Sequence, residues 1–587
     1  MGAEILVKHF DRVGDAPNAI SRLRRNILDL AVRGMLVAQD PNDEPTSELL
    51  RRIVEHKARL VNRGQGRKEP LLPEVSADEM PFKIPGNWRW VRFANIADFS
   101  AGRTPSRNET SFWNNGGHAW VSIADMDSGQ LLTKTKERVT DKAREKIFRS
   151  EPEEPGTIIM SFKLTIGKIA RLGIPAFHNE AIISIRPALA DLDSYLFSVL
   201  PQFAKSGATK GAIKGATLNR SSISNILIPL PPVAEQHRIV AKIDELMALC
   251  DQLELAQNER EACRDRLVAA SLHRIGTAAA TAAEAGAAAA EQEAHATPFP
   301  EAVRFHLTHL SRLTTRPEHI KQLRETILDL AVRGRLVAQD PNDEPAIGFV
   351  ERMSRDILEY AESQRIAHAV IDPIEEALYP FPRPLGWEFV RLSSLFRVIT
   401  DGDHQPPPKA ASGVAFLTIG NITSGTIDFS NCRYVSRQYA DAIPAYRKPS
   451  QGDILYTVVG ATYGRPALVD SEREFCVQRH IAILKPAAGA KVGYLRMLLA
   501  SPFVYEQATK CLTGTAQPTL GLRPLRNFIV PVPSPEEQNR IAAKVDKLMA
   551  LCDQIEAQLN QTQADSRRIL DAVLRESLEV AAELEEA

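Results

Sequence analysis

The stretch ILDLAVRGMLVAQDPNDEP occupies residues 27–45, and ILDLAVRGRLVAQDPNDEP occupies residues 327–345. Eighteen of the nineteen letters agree, and the exception is Met35, which Arg335 replaces. The similarity extends outward at the same offset of 300, because Ile20 falls on Ile320. A segment repeated at this distance within one chain indicates an internal tandem duplication.

A second repeated segment follows at an offset of 302. IPLPPVAEQHRIVAKIDELMALCDQLE (228–254) pairs with VPVPSPEEQNRIAAKVDKLMALCDQIE (530–556). The two offsets differ by only two residues, so the diverged stretches between the repeated segments have nearly equal length. Each half of the chain is therefore a variable block framed by two conserved segments.

The framing segments have the apolar spacing of helices. Apolar or small residues alternate at intervals of four and three, which predicts an a/d seam. The seam comprises Ile239, Ile243, Leu246, Cys250 and Leu253 in the first copy and Ile541, Val545, Leu548, Cys552, Ile555 and Leu559 in the second. The earlier framing helices should end near Gly34 and Gly334. The seams fit ordinary core packing or, as we favour for four such helices, intramolecular pairing that fixes the distance between the blocks.

The variable blocks differ from the framing segments in their residue pattern. Short β-rich runs such as GTIIMSF (156–162) and GDILYTV (452–458) alternate with Gly, Pro, Asn and Asp. The fold class predicted is mixed α/β, with two homologous α/β domains separated and flanked by long helices. The predicted boundaries are helical region 1–79, first basic block 80–232, helix 233–275, Ala-rich linker 276–300, second helical region 301–379, second basic block 380–534 and helix 535–587.

Charge is distributed unevenly along the 587 residues. The net charge is −1, yet the first basic block has 20 Lys and Arg against 13 Asp and Glu, and the second has 17 against 10. Each block thus carries +7 within an acidic frame. No signal peptide, membrane-span pattern or zinc-type cysteine spacing is present, which predicts a cytoplasmic protein without a metal site.

Sequence motifs for catalysis are absent. The sequence contains no GxxxxGK[ST] phosphate loop, no Asn/Asp-Pro-Pro-aromatic motif of amino-methyltransferases and no convincing nuclease or Ser/His/Asp set. These absences favour a binding protein over an enzyme. The basic loops provide guanidinium, ammonium, amide and hydroxyl donors suited to phosphates and base edges.

Nineteen residues are candidates for contacting nucleic acid, and for each the competing interpretation is an ordinary solvated loop. In the first basic block they are Arg103, Thr104, Ser106, Arg107, Lys163, Lys168, Asn179, Lys210, Lys214 and Arg220. In the second they are Asp403, His404, Gln405, Tyr463, Arg465, Gln478, Arg479, Thr515 and Gln517. Different letters at equivalent loops predict that the two blocks read different bases.

The stretches GRTPSR (102–107), WVSIAD (120–125), GTIIMS (156–161) and IPLPP followed by EQHRIVAKIDELMALCDQLE (228–254) resemble type I restriction–modification specificity subunits, the HsdS family. The resemblance covers about residues 20–577. ITDGDHQPP (399–407) departs from the GxTPS-type loop of the first block.

The resemblance implies a non-catalytic subunit whose two DNA-reading domains recognise a bipartite double-stranded target. It also implies conserved helices paired as antiparallel coiled coils, which dock two methyltransferase subunits and, through them, two restriction subunits. S-adenosylmethionine, ATP and magnesium would belong to those partners, and this chain would direct adenine methylation. Two alternatives stay open: a coiled-coil scaffold that does not bind DNA, and a self-contained methyltransferase with an unrecognised motif.

Overall fold

The structure is a computed structural model. It describes residues 16, 18–62, 71–113, 116–163, 165–206, 210–212, 215–285, 305–306, 308–366, 373–403, 407–422, 425–514 and 517–583. Side chains are described in these ranges outside 205–217, 277–285, 311 and 577–583. The chain divides into two compact units: residues 1–258 with 563–587, and residues 259–562. Each unit thus contains one repeat and the end of the other repeat's long helix.

The first repeat consists of the following elements. Its helices are α1 (Ala19–Val32), α2 (Thr46–Asn62), α3 (Phe93–Ile96), α4 (Asp141–Ala143), α5 (Asp193–Ser206), α6 (Arg220–Ser224) and α7 (Val233–Ala285). Its strands are β1 (Arg89–Arg92), β2 (Ala97–Ala101), β3 (His118–Val121), β4 (Gln130–Leu132), β5 (Glu137–Val139), β6 (Ile158–Ser161), β7 (Ile169–Leu172), β8 (Ala176–His178), β9 (Ile182–Pro187), β10 (Lys210–Ala212), β11 (Gly215–Thr217) and β12 (Leu227–Leu230).

The second repeat has a matching set. Its helices are α8 (Leu310–Leu313), α9 (Pro317–Val332), α10 (Ala346–Gln364), α11 (Arg437–Ala442), α12 (Val492–Ala500), α13 (Pro502–Lys510), α14 (Leu522–Arg526) and α15 (Pro535–Glu583). Its strands are β13 (Glu388–Arg391), β14 (Phe396–Asp401), β15 (Val414–Leu417), β16 (Arg433–Val435), β17 (Ile454–Thr457), β18 (Pro466–Leu468), β19 (Phe475–Val477), β20 (Ile481–Pro486), β21 (Leu512–Thr513), β22 (Thr519–Leu520) and β23 (Ile529–Val532).

The two basic blocks share one sheet topology, except that the main sheet of the first block has one additional edge strand, β4. The main sheet has the order β2-β9-β6-β7-β4 in the first block and β14-β20-β17-β18 in the second. A three-stranded sheet follows in each, β5-β3-β8 and β16-β15-β19, in which β3 runs parallel to β8 and β15 to β19. Strand pairs β1–β12 and β13–β23 close each block beside its long helix. The predicted mixed α/β duplication is confirmed.

The central strands are buried on both faces, which explains their continuous apolar composition. All four residues of β6 (IIMS) and of β17 (ILYT) are buried. Successive side chains of a strand point to opposite faces. Accordingly, Ile158 and Met160 join one hydrophobic cluster, whereas Ile159 joins another. The β-rich runs therefore form the middle of each block, and the loops between them lie at its edges.

The early framing helices pack against both long helices. In the first unit, Arg24 of α1 contacts Asp251 and Glu254 of α7 at 2.6 and 2.7 Å. In the second unit, Arg324 of α9 contacts Glu556 of α15 at 2.8 Å. The remaining face of each short helix is covered by the last part of the other repeat's long helix. The residues involved include Ala19 with Leu570 in the first unit, and Leu330 with Leu272 in the second.

Both short helices end as the sequence predicts. Gly34 and Gly334 follow the last turns with φ of 78° and 69°, a left-handed conformation that glycine adopts without a steric penalty. The amide of Met35 bonds to the carbonyl of Leu30 at 2.9 Å, and Arg335 repeats this bond. The two turns therefore leave their helices with the same geometry.

Three details differ from the expectations. Leu253 is 37% exposed, whereas the seam pattern predicted its burial; the next seam position is Gln257, so no apolar residue continues the seam. Ile239 and Ile243 join the core of the first basic block instead of a separate helix pair. In addition, α7 continues to Ala285, so the first part of the predicted linker 276–300 is helical, and its part after Ala285 lies outside the described residues. Alanine favours helix, which explains the extension.

A buried polar contact joins each basic block to its long helix. The indole of Trp88 donates to Glu235 at 2.9 Å, and Trp387 donates to Glu537 at 2.9 Å. The turn of the first repeated segment takes part as well, because Asp43 pairs with Arg238 at 2.6 Å and Asp343 with Arg540 at 2.6 Å. The two framing segments of each repeat thus contact each other, which accounts for part of their sequence identity. None of the helices in the described ranges is long and apolar enough to cross a membrane.

Candidate nucleic-acid interface

The loop after β2 lies directly against the turn between β8 and β9. The amide of Gly102 donates to Ile182 O at 3.1 Å, and that of Arg103 donates to His178 O at 2.9 Å. A Cβ at position 102 would lie 1.9 Å from the His178 carbonyl oxygen, so only glycine allows this approach. Gly402 makes the same approach in the second block, with a Cβ position 1.9 Å from Val477 O.

Two further loops join this pair. The amide of Phe162 donates to Ala181 O at 2.9 Å, and the amide of Leu218 donates to Phe162 O at 3.0 Å. In the second block the bonds from Val458 to His480 O, at 3.0 Å, and from Leu520 to Val458 O, at 2.8 Å, are equivalent. Four segments distant in sequence thus form one continuous surface, which we call the loop edge. It comprises residues 102–108, 162–163, 165–168, 178–181 and 215–218 in the first block and 402–403, 458–465, 478–480 and 517–520 in the second.

The first loop edge contains a polar cleft of about 550 Å³. Arg103, Thr104 and Glu180 line it together with Lys146 and Arg149. Arg103 donates to the carbonyl of Ile147 at 2.5 Å, and the Thr104 hydroxyl donates to Glu180. Sequence reasoning missed Lys146, Arg149 and Glu180. The only available signal for the first two was the charged run DKAREKIFRS at 141–150.

Arg107 is held by its own block. Its guanidinium lies 4.0 Å from the centroid of Trp113 and 5.0 Å from that of Trp120, and it donates to both carboxylate oxygens of Glu137. The hydrogen bonds to Glu137 raise the pKa of Arg107. The indole of Trp113 also donates to Ser106 O at 3.0 Å. These contacts shape the loop that presents Arg103 and Thr104.

Other candidates of the first block lie on or beside the loop edge with defined contacts. Asn179 uses its side-chain oxygen to accept from the amide of Ala181 at 3.0 Å, so it stabilises its own turn. Lys163 lies 5.4 Å from the ring centroid of Phe162. Lys168 donates to Ile123 O at 3.3 Å. Arg220, the first residue of α6, lies 5.3 Å from the Phe99 ring.

The second loop edge presents different groups on the same frame. The carboxylate of Asp403 accepts from the hydroxyl of Tyr439, and the amide of Arg479 donates to Asp403 O at 3.2 Å. Burial and this bond to Asp403 raise the pKa of Tyr439. The backbone of Gln478 holds the same position as that of Asn179, because each accepts from the isoleucine that begins the next strand.

An aromatic pair adds to the second loop edge. Tyr463 stacks on Tyr505 with ring centroids 5.0 Å apart and an interplanar angle of 9°, and its hydroxyl lies 2.9 Å from that of Thr509. Arg465 anchors the loop through its amide to the Thr457 hydroxyl at 3.0 Å. Gln517 is exposed beside this loop. The candidates Lys214, His404, Gln405 and Thr515, and the side chain of Lys210, lie outside the described residues.

The side chains of the two loop edges are suited to contacts with a polar ligand. Within the described ranges, no group of three or more His, Cys, Asp or Glu side chains is arranged to hold a metal ion. The loop edges combine cations, amides, hydroxyls and single carboxylates on rigid strands. Such groups contact phosphates and the donor and acceptor atoms of bases.

Comparison with known proteins gives a consistent match. A family model described as the type I restriction modification DNA specificity domain matches residues 85–260 and 384–562. The type I restriction enzyme EcoAI specificity subunit of Escherichia coli is 27% identical over 581 residues, covering 94% of this chain and 93% of the relative. The EcoEI specificity subunit, also of Escherichia coli, is 28% identical over 585 residues with the same coverages.

One solved chain from a type I restriction–modification system covers 85% of this chain and 99% of its own length, with 18% identity and a TM-score of 0.48. The two segments that the family model matches each comprise a basic block and the beginning of its long helix. The family model therefore matches once in each half of the chain, in agreement with the internal duplication.

Proposed function

Because this chain belongs to the family of type I restriction–modification DNA specificity subunits, we propose that each basic block reads one half of a bipartite DNA target. Subunits of this kind are non-catalytic and act with modification and restriction subunits on DNA. The proposal concerns how this chain divides that work between its two blocks and its helices.

The observation that carries the proposal is the loop edge, where one backbone frame presents two different side-chain sets. Arg103 and Glu180 in the first block correspond in position to Asp403 and Arg479 in the second. The net +7 of each block supplies a salt-dependent, sequence-independent attraction to phosphates. Loop side chains of the candidate set then read base edges, so the two half-sites differ.

The long helices support a second part of the proposal, which is that two copies of one methyltransferase subunit dock on this chain. Leu249 and Leu551 are 47% and 42% exposed within the identical stretch LMALCDQ of α7 and α15. Pro41 and Pro341 are likewise exposed and identical. Neither pair is needed for the core, whereas an identical partner bound twice requires identical exposed residues. Two restriction subunits would join through the methyltransferase subunits.

We assign the remaining chemistry to the partners. S-adenosylmethionine would bind the methyltransferase subunits, which transfer its methyl group to adenine, and ATP and magnesium would serve the restriction subunits. The helical frame would space the half-sites around an unread stretch on the order of one helical turn of DNA. A complex acting on host DNA would lie in the cytoplasm.

The decisive experiment maps methylated adenines in the host genome with the gene intact, deleted, and with residues 80–232 exchanged for the equivalent block of a relative. The intact gene should give one bipartite motif that deletion abolishes. The exchange should change one half-site and leave the other unchanged. A single uninterrupted motif, or methylation independent of the gene, would contradict the proposal. S-adenosylmethionine binding by the isolated chain would favour a self-contained methyltransferase instead.

A further inference from the structure

The two loop edges carry a cation and a carboxylate in opposite order. Arg103 follows Gly102 in the first block, whereas Asp403 follows Gly402 in the second. On the neighbouring turn Glu180 follows Asn179, whereas Arg479 follows Gln478. The backbone bonds of Gly102 and Gly402, at 3.1 and 3.3 Å to the isoleucines that begin β9 and β20, show that these positions correspond.

A hydroxyl from the same block orients the carboxylate in each case. Thr104 donates to Oε2 of Glu180, and Tyr439 donates to Oδ2 of Asp403. The two donors come from unrelated places: Thr104 lies on the loop itself, whereas Tyr439 lies on α11. Each block thus orients a carboxylate at a loop edge that also carries an arginine, by a different route.

Arginine and a carboxylate have complementary uses on DNA. In the major groove, guanine presents two acceptors, O6 and N7, to which arginine donates, and cytosine presents the N4 amino donor, which a carboxylate accepts. A neighbouring arginine and carboxylate can therefore recognise the two bases of one G·C pair. Reversal of their order on a fixed frame reverses which strand carries the guanine.

We propose, resting on the proposed function, that Arg103 with Glu180 and Asp403 with Arg479 each specify one G·C pair. Relative to the protein frame, the guanine lies on opposite strands in the two half-sites. The pairs are specificity-determining residues, and the charge reversal is one reason why the half-sites differ.

The test uses the full chain assembled with its methyltransferase subunits, and a duplex library that varies every position of the target. The double substitution Arg103→Asp with Glu180→Arg should change one position of the first half-site from G·C to C·G and leave the second half-site unchanged. The matched double substitution Asp403→Arg with Arg479→Glu should change one position of the second half-site from C·G to G·C and leave the first half-site unchanged. Selection against the wrong pair should be roughly 5- to 150-fold, as for other good base contacts.

Thr104→Val is a milder variant that keeps all charges and removes only the hydroxyl that orients Glu180. It should relax discrimination at that same base pair several-fold while the second half-site stays intact. An unchanged motif in all three variants, with only weaker binding, would overturn the inference and make these residues phosphate contacts. That result leaves the proposed function standing, since it requires only that the wild-type motif is bipartite.

Discussion

The indole nitrogen of Trp387 lies 2.9 Å from Oε2 of Glu537 and thereby joins the entry to the second basic block to the first turn of α15. The carboxyl group is almost fully buried, with 2% of Glu537 exposed. Burial raises the pKa of Glu537 to about 7, although the bond from Trp387 opposes the shift. In the first unit Glu235 accepts the corresponding bond from Trp88, and burial raises the pKa of Glu235 as well.

We expect Glu537 to make the second unit less stable as the pH rises. Its folded pKa lies above its unfolded value, so the cost of ionising the buried carboxyl is absent below pH ~4.5, grows as pH rises, and is complete above pH ~7. Glu537→Gln keeps an acceptor for the indole and removes the ionisation. The variant should match the wild type near pH 4.5 and exceed it by up to about 3 kcal/mol above pH 7.

The measurement is urea unfolding of the full chain followed by tryptophan fluorescence across that pH range. Glu235→Gln is the matched variant and should show a difference of the same sign from the first unit. Parallel stability curves for wild type and Glu537→Gln would mean that folding does not shift the pKa of this carboxyl, and would contradict the prediction.

A cut in the chain after α7 should not separate the halves. The last part of α7 belongs to the second unit, where Asp265 lies 2.8 Å from His319 and Leu272 packs with Leu313 and Leu330. A protease site inserted between residues 290 and 295 should therefore give two fragments that elute together in size-exclusion chromatography.

The contacts to disrupt follow from the same packing. Leu272→Asp together with Leu570→Asp removes an apolar anchor from the end of each long helix, since Leu570 packs on Ala19 of α1. The two fragments of the cleaved double variant should elute separately, whereas the uncleaved double variant should elute as a single species. Separation of the cleaved wild-type fragments would show that these helix ends do not hold the halves together.

Helices and strands were predictable from local sequence patterns, whereas the contacts between them were not. The β-rich runs at 156–162 and 452–458 became β6 and β17, because strands buried on both faces need a continuous apolar composition. The glycines after α1 and α9 marked helix ends because their left-handed conformation is local. The burial of Leu253 was predicted wrongly, because a seam also requires a facing residue that the pattern of one helix does not supply.

The loop edge depends on long-range register and was visible only in part. Sequence reasoning selected Arg103 and Asn179 separately, and the alignment of β2 with β9 brings them together. Glu180 was missed because a single carboxylate in a basic block carries no motif. The single difference in the repeated nineteen residues is also explained by a distant contact, since Arg335 donates to the carbonyl of Gly276 at 3.2 Å.

Leu249 and Leu551 should contribute to binding the methyltransferase subunits. Each is exposed and lies in an identical sequence, so Leu249→Glu or Leu551→Glu should remove one bound copy, and the double variant should remove both. Native mass spectrometry of the reconstituted complex counts the copies. Leu255 is a matched control because it is 61% exposed and its counterpart is Ala557, so Leu255→Glu should leave two copies bound. Equal losses from Leu255→Glu and Leu249→Glu would place the docking surface elsewhere.

Lys146 and Arg103 line the same cleft but should affect DNA binding differently. An ammonium group acts on phosphates as a point charge, so Lys146→Ala should weaken target and scrambled duplexes alike and reduce the slope of log affinity against log salt by about 0.9. Arg103→Ala should weaken the target more than the scrambled duplex, because a guanidinium can read guanine. Lys142 is the control cation, since it already lies 2.9 Å from Glu109, and Lys142→Ala should leave the slope nearly unchanged. Equal effects of Lys146→Ala and Arg103→Ala on both duplexes would show that the cleft contacts only the phosphate backbone.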